Sequence, residues 1–183
     1  MKVRGSVIKS IDEFVANTHR RHHQQWVDKL PSQTLKTMRM ATSSSWHPLK
    51  EGAIIPTKIM CDMFYPDANR GAWESGRYSA EAGLTGVYKI FVIISTPAFL
   101  LKRASRIMAT FYAPTVVHVA EDLSGKMIIH FTQLPVKNEL IENRIAGWME
   151  KAMEMCGCKN LLVRITQSMA LGSKVFEVTL TWD

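Results

Sequence analysis

The chain has 183 residues, 46% of them hydrophobic, a fraction typical of a globular protein and too high for a disordered one. No apolar run reaches the roughly 18 residues that cross a membrane, and the opening Met1-Lys2-Val3-Arg4-Gly5 does not resemble a signal peptide. Three cysteines and eleven methionines suit a reducing compartment, so we expect a cytoplasmic protein without a disulfide framework.

The net charge of +7 is unevenly distributed along the chain. Residues 1–110 hold 16 Lys and Arg against 8 Asp and Glu, whereas residues 111–183 hold 7 against 8. The cations are scattered, and no helix-turn-helix, zinc-finger spacing or aromatic RNA-binding signature accompanies them. We therefore expect a solvated basic face rather than binding to nucleic acid.

The first part of the chain is predicted to be helical. Val7, Ile8, Ile11, Phe14 and Val15 share one helical stripe, which predicts a helix over residues 6–17. Similar spacing of apolar residues, interrupted by prolines and glycines, predicts further helices and the loops between them. These helices cover 22–30, 32–40, 54–65, 70–82, a stretch from Val87, and 97–111. The loops cover 41–48 and 66–69.

The second part of the chain changes in character after Pro114. Two short β-branched runs, 116–120 and 127–132, flank a hairpin turn at Leu123–Lys126. A helix with one apolar face is predicted to open at Pro135 and to end near Gly157, before strands over 160–166 and 175–182. We expect a single α+β domain, with a mainly helical layer (1–113) packed on an antiparallel ββαββ sheet part (114–183).

Metal binding has one candidate segment. His19 and His23 are four residues apart on a predicted helix, and Cys61 or Asp62 could add a ligand. The adjacent Arg20 and Arg21 would repel a divalent cation, and Cys156-Gly157-Cys158 lacks the spacing of a redox or zinc motif. We therefore expect no metal site.

Hydrolase chemistry has a candidate in the serines of residues 43–45 together with His47. These serines follow no predicted strand and lack the G-x-S-x-G elbow, so we expect that the protein is not an enzyme. An enzyme on the same scaffold, with His47 or Tyr78 as acid or base, stays open as an alternative.

Glycines and aromatic residues around residues 78–91 suggest an apolar pocket. Gly83 and Gly86 would either let two helices pack closely or bend one helix beside a cavity. Both interpretations stay open. The candidate ligand-binding residues are Trp46, Tyr78, Gly83, Gly86, Tyr88, Phe91, Met108 and Phe111.

Several of these segments resemble known proteins. The opening Lys2–Ile8, with Phe14-Val15 and Trp26, resembles the start of the haem nitric-oxide-binding-like family. Other segments resemble a related bacterial group of 4-vinyl-reductase-type small-molecule-binding domains; these are Trp46-His47-Pro48-Leu49, Gly76–Glu81, Gly86-Val87-Tyr88, Pro97, Gly172 and Trp182. The resemblance implies an α+β ligand-sensing fold with helices over a sheet and a cavity between them.

Two departures from the resemblance concern cofactors. Haem-binding relatives carry a histidine on the helix that resembles the stretch from Phe99, where this chain has none, and no arginine follows Tyr78-Ser79 to complete a propionate signature. Ser168 and Phe176 stand where 4-vinyl-reductase-type domains carry metal-binding cysteines. We therefore expect no cofactor, haem included.

The function expected from the sequence is that of a bacterial sensor-like or accessory domain. A small apolar or aromatic ligand would bind between helices and sheet, and the signal would leave through contact with a protein partner. We also expect a homodimer. A scaffold protein without a ligand is the other alternative beside the enzyme.

Overall fold

The computed structural model describes residues 1–84 and 104–183, with residues 104–106 described by their backbone alone. The helices are α1 (Gly5–Thr18), α2 (His23–Lys29), α3 (Ser32–Met40), α4 (Ile55–Phe64), α5 (Ala68–Gly83), α6 (Ala104–Phe111) and α7 (Glu139–Met155). The strands are β1 (Lys2–Arg4), β2 (Trp46–Pro48), β3 (Tyr112–Ala113), β4 (Val116–Leu123), β5 (Lys126–Gln133), β6 (Leu162–Gln167) and β7 (Phe176–Thr181). None of these helices is long and apolar enough to cross a membrane.

The helical first part agrees with the sequence pattern. The predicted stripe on α1 is buried, with Ile11 and Val15 fully enclosed, because these side chains recur on one side of the helix. A one-turn 3-10 helix (Arg20–His22) leads into α2, and a π-helical turn (Lys50–Ile54) leads into α4. Helices α1, α2 and α4 each contribute side chains to one hydrophobic cluster.

A small sheet of order β2-β1-β3 was missed by the sequence prediction. Trp46–Pro48, expected as the end of a loop, pairs with β1, and the fully buried Val3 lies opposite both His47 and Tyr112. Strands of two or three residues are too short to display an alternating pattern, so periodicity could not reveal them.

The large sheet has the antiparallel order β4-β5-β7-β6, which confirms the predicted ββαββ arrangement and the α+β class. Alternate residues of β5 and β7 are fully buried, and the intervening ones are partly exposed. The predicted hairpin turn joins β4 to β5, and Gly125 occupies it with a φ of +73°.

Helix α7 begins four residues later than predicted. Pro135 does not open it; the side chain of Asn138 accepts a hydrogen bond from the backbone N–H of Ile141, so the helix begins at Glu139. The predicted end is confirmed, because the helix stops at Met155 and Gly157 adopts a φ of +86°.

Helices α5 and α7 run side by side in the same direction and are in direct backbone contact. A Cβ atom on Gly76 would lie 2.0 Å from the carbonyl oxygen of Arg144, and one on Gly147 would lie 2.2 Å from that of Trp73. Gly83, for which the sequence suggested either a close approach or a bend, has no atom of the described residues within 4 Å of its Cβ position. The close approach is therefore made by Gly76 and Gly147, one on each helix.

Candidate ligand-binding site

A small cavity lies between α1, α5, α6 and α7, with the start of β3 at one side. We call it the interhelical cavity. It has a volume of about 10 Å³, which is room for a single water molecule. Its lining residues are Val7, Gly76, Ser79, Met108, Phe111, Tyr112, Arg144, Ile145 and Trp148.

The walls of the interhelical cavity are mostly apolar and closely packed. Val7, Met108 and Ile145 are all at most 3% exposed. The rings of Phe111 on α6 and Trp148 on α7 meet with centroids 5.8 Å apart, tilted by 58°. This aromatic pair joins α6 to α7 and thereby closes the cavity between them.

Arg144 is the charged residue of the lining, and it is buried. Its side chain is 2% exposed, and Nη1 donates a hydrogen bond to Oγ of the fully buried Ser75. The buried Nε–H has no hydrogen-bond partner among the described residues. Burial raises the pKa of the nearby Cys61 thiol to about 12, so that thiol is neutral at pH 7 and does not balance the charge of Arg144.

No carboxylate of the chain balances Arg144 either. All Asp and Glu residues fall within the described residues, because the sequence of 85–103 contains neither type. Among these carboxylates, none forms an ion pair with Arg144. Glu142, two positions away, accepts hydrogen bonds from Ser168 and from the backbone N–H of Ala170.

Two of the residues expected to bind a ligand line the interhelical cavity, namely Met108 and Phe111. Trp46 lies elsewhere, on the small sheet, where the guanidinium of Arg4 stands 4.9 Å from its ring centroid. The cavity is enclosed by helices and β3, rather than by helices and the large sheet as expected from the sequence.

Tyr78 packs beside the cavity without lining it. Its ring lies 5.5 Å from that of Phe14, and its hydroxyl accepts a hydrogen bond from Nδ2 of Asn17 at 2.7 Å. Gly83 stands at the end of α5, with no other side chain of residues 1–84 or 107–183 near its Cβ position. Gly86, Tyr88 and Phe91 fall in 85–103 and lie outside the described residues.

The histidines considered for a metal site have other contacts. His19 stacks on Phe64 with ring centroids 4.1 Å apart, and its pKa is lowered by burial and by His22. His23 pairs with Asp12 at 2.8 Å. Across the described part of the chain, no group of three or more His, Cys, Asp or Glu residues is placed to hold a metal ion.

Ser45 and His47, the candidates for hydrolase chemistry, are in contact. Nε2 of His47 lies 2.6 Å from Oγ of Ser45, which also accepts from the N–H of Thr42 and donates to its carbonyl oxygen. Because the Thr42 carbonyl competes with His47 for the hydroxyl proton, the contact between Ser45 and His47 has no fixed donor. None of the described carboxylates pairs with His47, so the arrangement lacks the third member of a triad.

Sequence analysis missed Arg144, although the sequence carries a signal for it. Ile141, Ile145 and Trp148 form the buried stripe of α7, and Arg144 falls on the same face, three residues after the first and four before the last. A charged residue inside an apolar helical stripe indicates a buried charge, and buried charges concentrate at functional sites.

Solved structures of H-NOX proteins share this fold. The structure of the S. oneidensis H-NOX protein in its Fe(II)NO state has a TM-score of 0.76 at 8% identity, covering 98% of this chain and 99% of that chain. The unliganded Fe(II) H-NOX protein of K. algicida has a TM-score of 0.72 at 10% identity, covering 98% and 96%. No family model and no curated protein matches the sequence.

The expectation of a chain without a cofactor is wrong in the light of these structures. The neighbours are iron proteins, and further ones are described by haem distortion and by control of haem redox potential, at 11% and 12% identity. The expectation depended on one absent histidine and one absent arginine, whereas a binding site is determined by all the side chains that a fold brings together. The likeness over nearly the full length establishes the architecture: this chain has an H-NOX-like fold.

Proposed function

We propose that the chain is a non-enzymatic, sensor-type domain that binds haem in the interhelical cavity and signals through protein contact. The observation that carries this proposal is the full-length likeness in fold to iron and haem H-NOX proteins. Haem would supply an iron atom to which a small gaseous molecule can bind.

The donor groups of the cavity suit a haem. The thioether of Met108 and the phenol of Tyr112 are the lining groups of kinds that ligate haem iron in other proteins. Arg144 is a buried cation without a carboxylate partner, and a propionate group would balance it. Val7, Ile145 and Trp148 offer apolar contact for a macrocycle.

Binding requires the helices to separate. A cavity of about 10 Å³ is far smaller than the roughly 300 Å³ or more of ordinary ligand pockets. The backbones of α5 and α7 touch at Gly76 and Gly147, whereas α6 meets α7 through the side chains of Phe111 and Trp148. We therefore expect α6 to move away from the α5–α7 pair, which stays together.

This movement provides a mechanism for signalling. A ligand that binds only the separated arrangement shifts the population toward it, by as much as the difference between its affinities for the two arrangements. Tyr112 and Ala113 of β3 follow α6 directly and pair with β1, so displacement of α6 would reach the small sheet. A protein partner could read the resulting change at the surface of that sheet.

Native mass spectrometry of the chain purified from its natural host tests the proposal. We expect the mass of the chain plus one haem, together with a haem absorption band. Met108→Leu should change that band, whereas Met40→Leu, at an exposed position on α3, should leave it unchanged. A bare chain that also takes up no added haem would contradict the proposal.

A further inference from the structure

We propose that Arg144 and Ser75 form the recognition site for a carboxylate group, and that the natural ligand is a largely apolar molecule bearing such a group. This inference deepens the proposed function, because it names the chemistry of the ligand and the residue that selects it. The basis is Arg144, a buried cation with which no described carboxylate forms an ion pair.

Arg144 has donors that the described residues do not use. A guanidinium carries five N–H bonds, and within residues 1–84 and 107–183 this one has a single acceptor, Oγ of Ser75. Its Nε–H is buried without a partner among the same residues. An isolated buried charge is strongly unfavourable unless a counter-charge and hydrogen bonds accompany it, so this arrangement is incomplete by itself.

Two other arginines contrast with Arg144. Arg77, on the exposed side of the same α5–α7 pair, donates to both Glu150 and Glu154. Arg70 pairs with Glu74 one turn along α5. These two more exposed arginines thus have carboxylate partners, whereas Arg144, which is 2% exposed, has none among the described residues.

The kind of anion follows from the surroundings. The planar guanidinium fork matches a carboxylate with two parallel hydrogen bonds, and the Ser75 hydroxyl can add one more. A single cation suits a single negative charge better than the nearly double charge of a phosphate monoester. Because Met108, Phe111, Ile145 and Trp148 line the adjoining cavity, the remainder of the ligand is expected to be apolar.

The first test compares unfolding temperatures without any ligand. Arg144→Met removes the charge but keeps most of the side-chain volume, so we expect an unfolding temperature equal to or above that of the parent chain. Arg77→Met, which removes a partnered arginine, is expected to lower it. A clear fall for Arg144→Met would indicate a structural role for Arg144 and overturn the proposal.

The second test compares acids with neutral analogues of the same shape. Octanoate is paired with 1-octanol, and haem with its dimethyl ester. We expect each acid to bind the parent chain at least about tenfold more tightly than its analogue, since a charge-assisted hydrogen bond is worth about 1.5–3 kcal/mol. The preference should vanish in Arg144→Met and be reduced in Arg144→Lys, whose ammonium lacks the fork.

The outcomes separate this inference from the proposed function. A preference for octanoate that depends on Arg144, without binding of haem, would support the carboxylate site and contradict haem as the ligand. Binding of haem and of its dimethyl ester with equal affinity would support the cofactor and contradict the carboxylate site. A chain that binds neither acid contradicts both.

Discussion

The backbone carbonyl oxygen of Arg144 lies 2.0 Å from the point at which a Cβ atom on Gly76 would stand. This contact places the backbones of α5 and α7 against each other, at the level where the Arg144 side chain bonds to Ser75. The packing of the two helices and the position of the buried cation thus depend on the same glycine.

Gly76→Ala is expected to destabilise the protein by about 1–3 kcal/mol, because the new Cβ atom would overlap the Arg144 carbonyl group and force the two helix backbones apart. Thermal or urea unfolding measures the change. Gly83→Ala is the matched control on the same helix: none of the described atoms lies within 4 Å of the new Cβ, so the change should stabilise the chain by about 0.5–1 kcal/mol. Equal effects at both positions would contradict the close-contact interpretation.

The sequence predicted elements with a repeating pattern and missed elements without one. The stripe from Val7 to Val15 defined α1, and the β-branched runs around Gly125 defined the hairpin. The beginning of α7 was misplaced because the cap of Asn138 decides it, rather than the proline three residues earlier. The small sheet has strands of two or three residues, which are too short to carry a period.

The candidate site was only partly predictable, because some of its residues belong to a repeating sequence pattern and others do not. Met108 and Phe111 belong to an apolar helical pattern, and both line the cavity. That Arg144 lacks a counter-charge follows from the three-dimensional positions of every carboxylate, which a linear sequence does not contain. The same holds for the glycine contacts of α5 with α7.

Glu142 is expected to make stability depend on pH. The pKa of its carboxyl is raised above the ordinary value of 4.5, mainly by burial, against the lowering effect of the Ser168 and Ala170 hydrogen bonds. The folded state therefore favours the protonated form, and stability contributed by this group falls as pH rises from about 4.5 through the raised pKa.

Glu142→Gln tests this dependence, since the amide keeps the acceptor for Ala170 but does not ionise. Its stability relative to the parent chain should increase as pH rises from about 4.5. Urea unfolding at a series of pH values measures the difference. A difference that stays constant with pH would be evidence against a raised pKa.

Arg77 is expected to stabilise the exposed side of the α5–α7 pair. It donates to Glu154, and also to Glu150, which accepts a further hydrogen bond from Nε1 of Trp73 at 2.7 Å. Arg77→Ala should cost about 1 kcal/mol, because several hydrogen bonds to partly buried carboxylates are lost. Arg70→Ala, which removes a single exposed pair, should change stability by less than about 0.5 kcal/mol.

Thr166 is expected to control the acidity of Glu177 on the outer face of the large sheet. The pKa of Glu177 is lowered, first by the hydrogen bond from Thr166 at 2.6 Å and then by His130. Thr166→Val should raise that pKa toward 4.5, which an NMR titration of the side chain would detect. Thr132→Val, an exposed change on the neighbouring strand β5, is the control and should leave it unchanged.

Lowering of the Glu177 pKa also has a consequence for stability. The group stabilises the folded state above the ordinary value of 4.5, and this contribution is lost as pH falls through the lowered pKa. The loss on acidification should therefore be smaller in Thr166→Val than in the parent chain. A larger loss would contradict the assignment of Thr166 as the main cause.

An absorption titration of the full chain with haem tests the central claim most directly. We expect saturation at one haem per chain, with binding weakened at least about tenfold by Arg144→Met and unchanged by Gly83→Ala. A spectrum that stays that of free haem, or equal binding to the parent chain and to Arg144→Met, would contradict haem binding through Arg144.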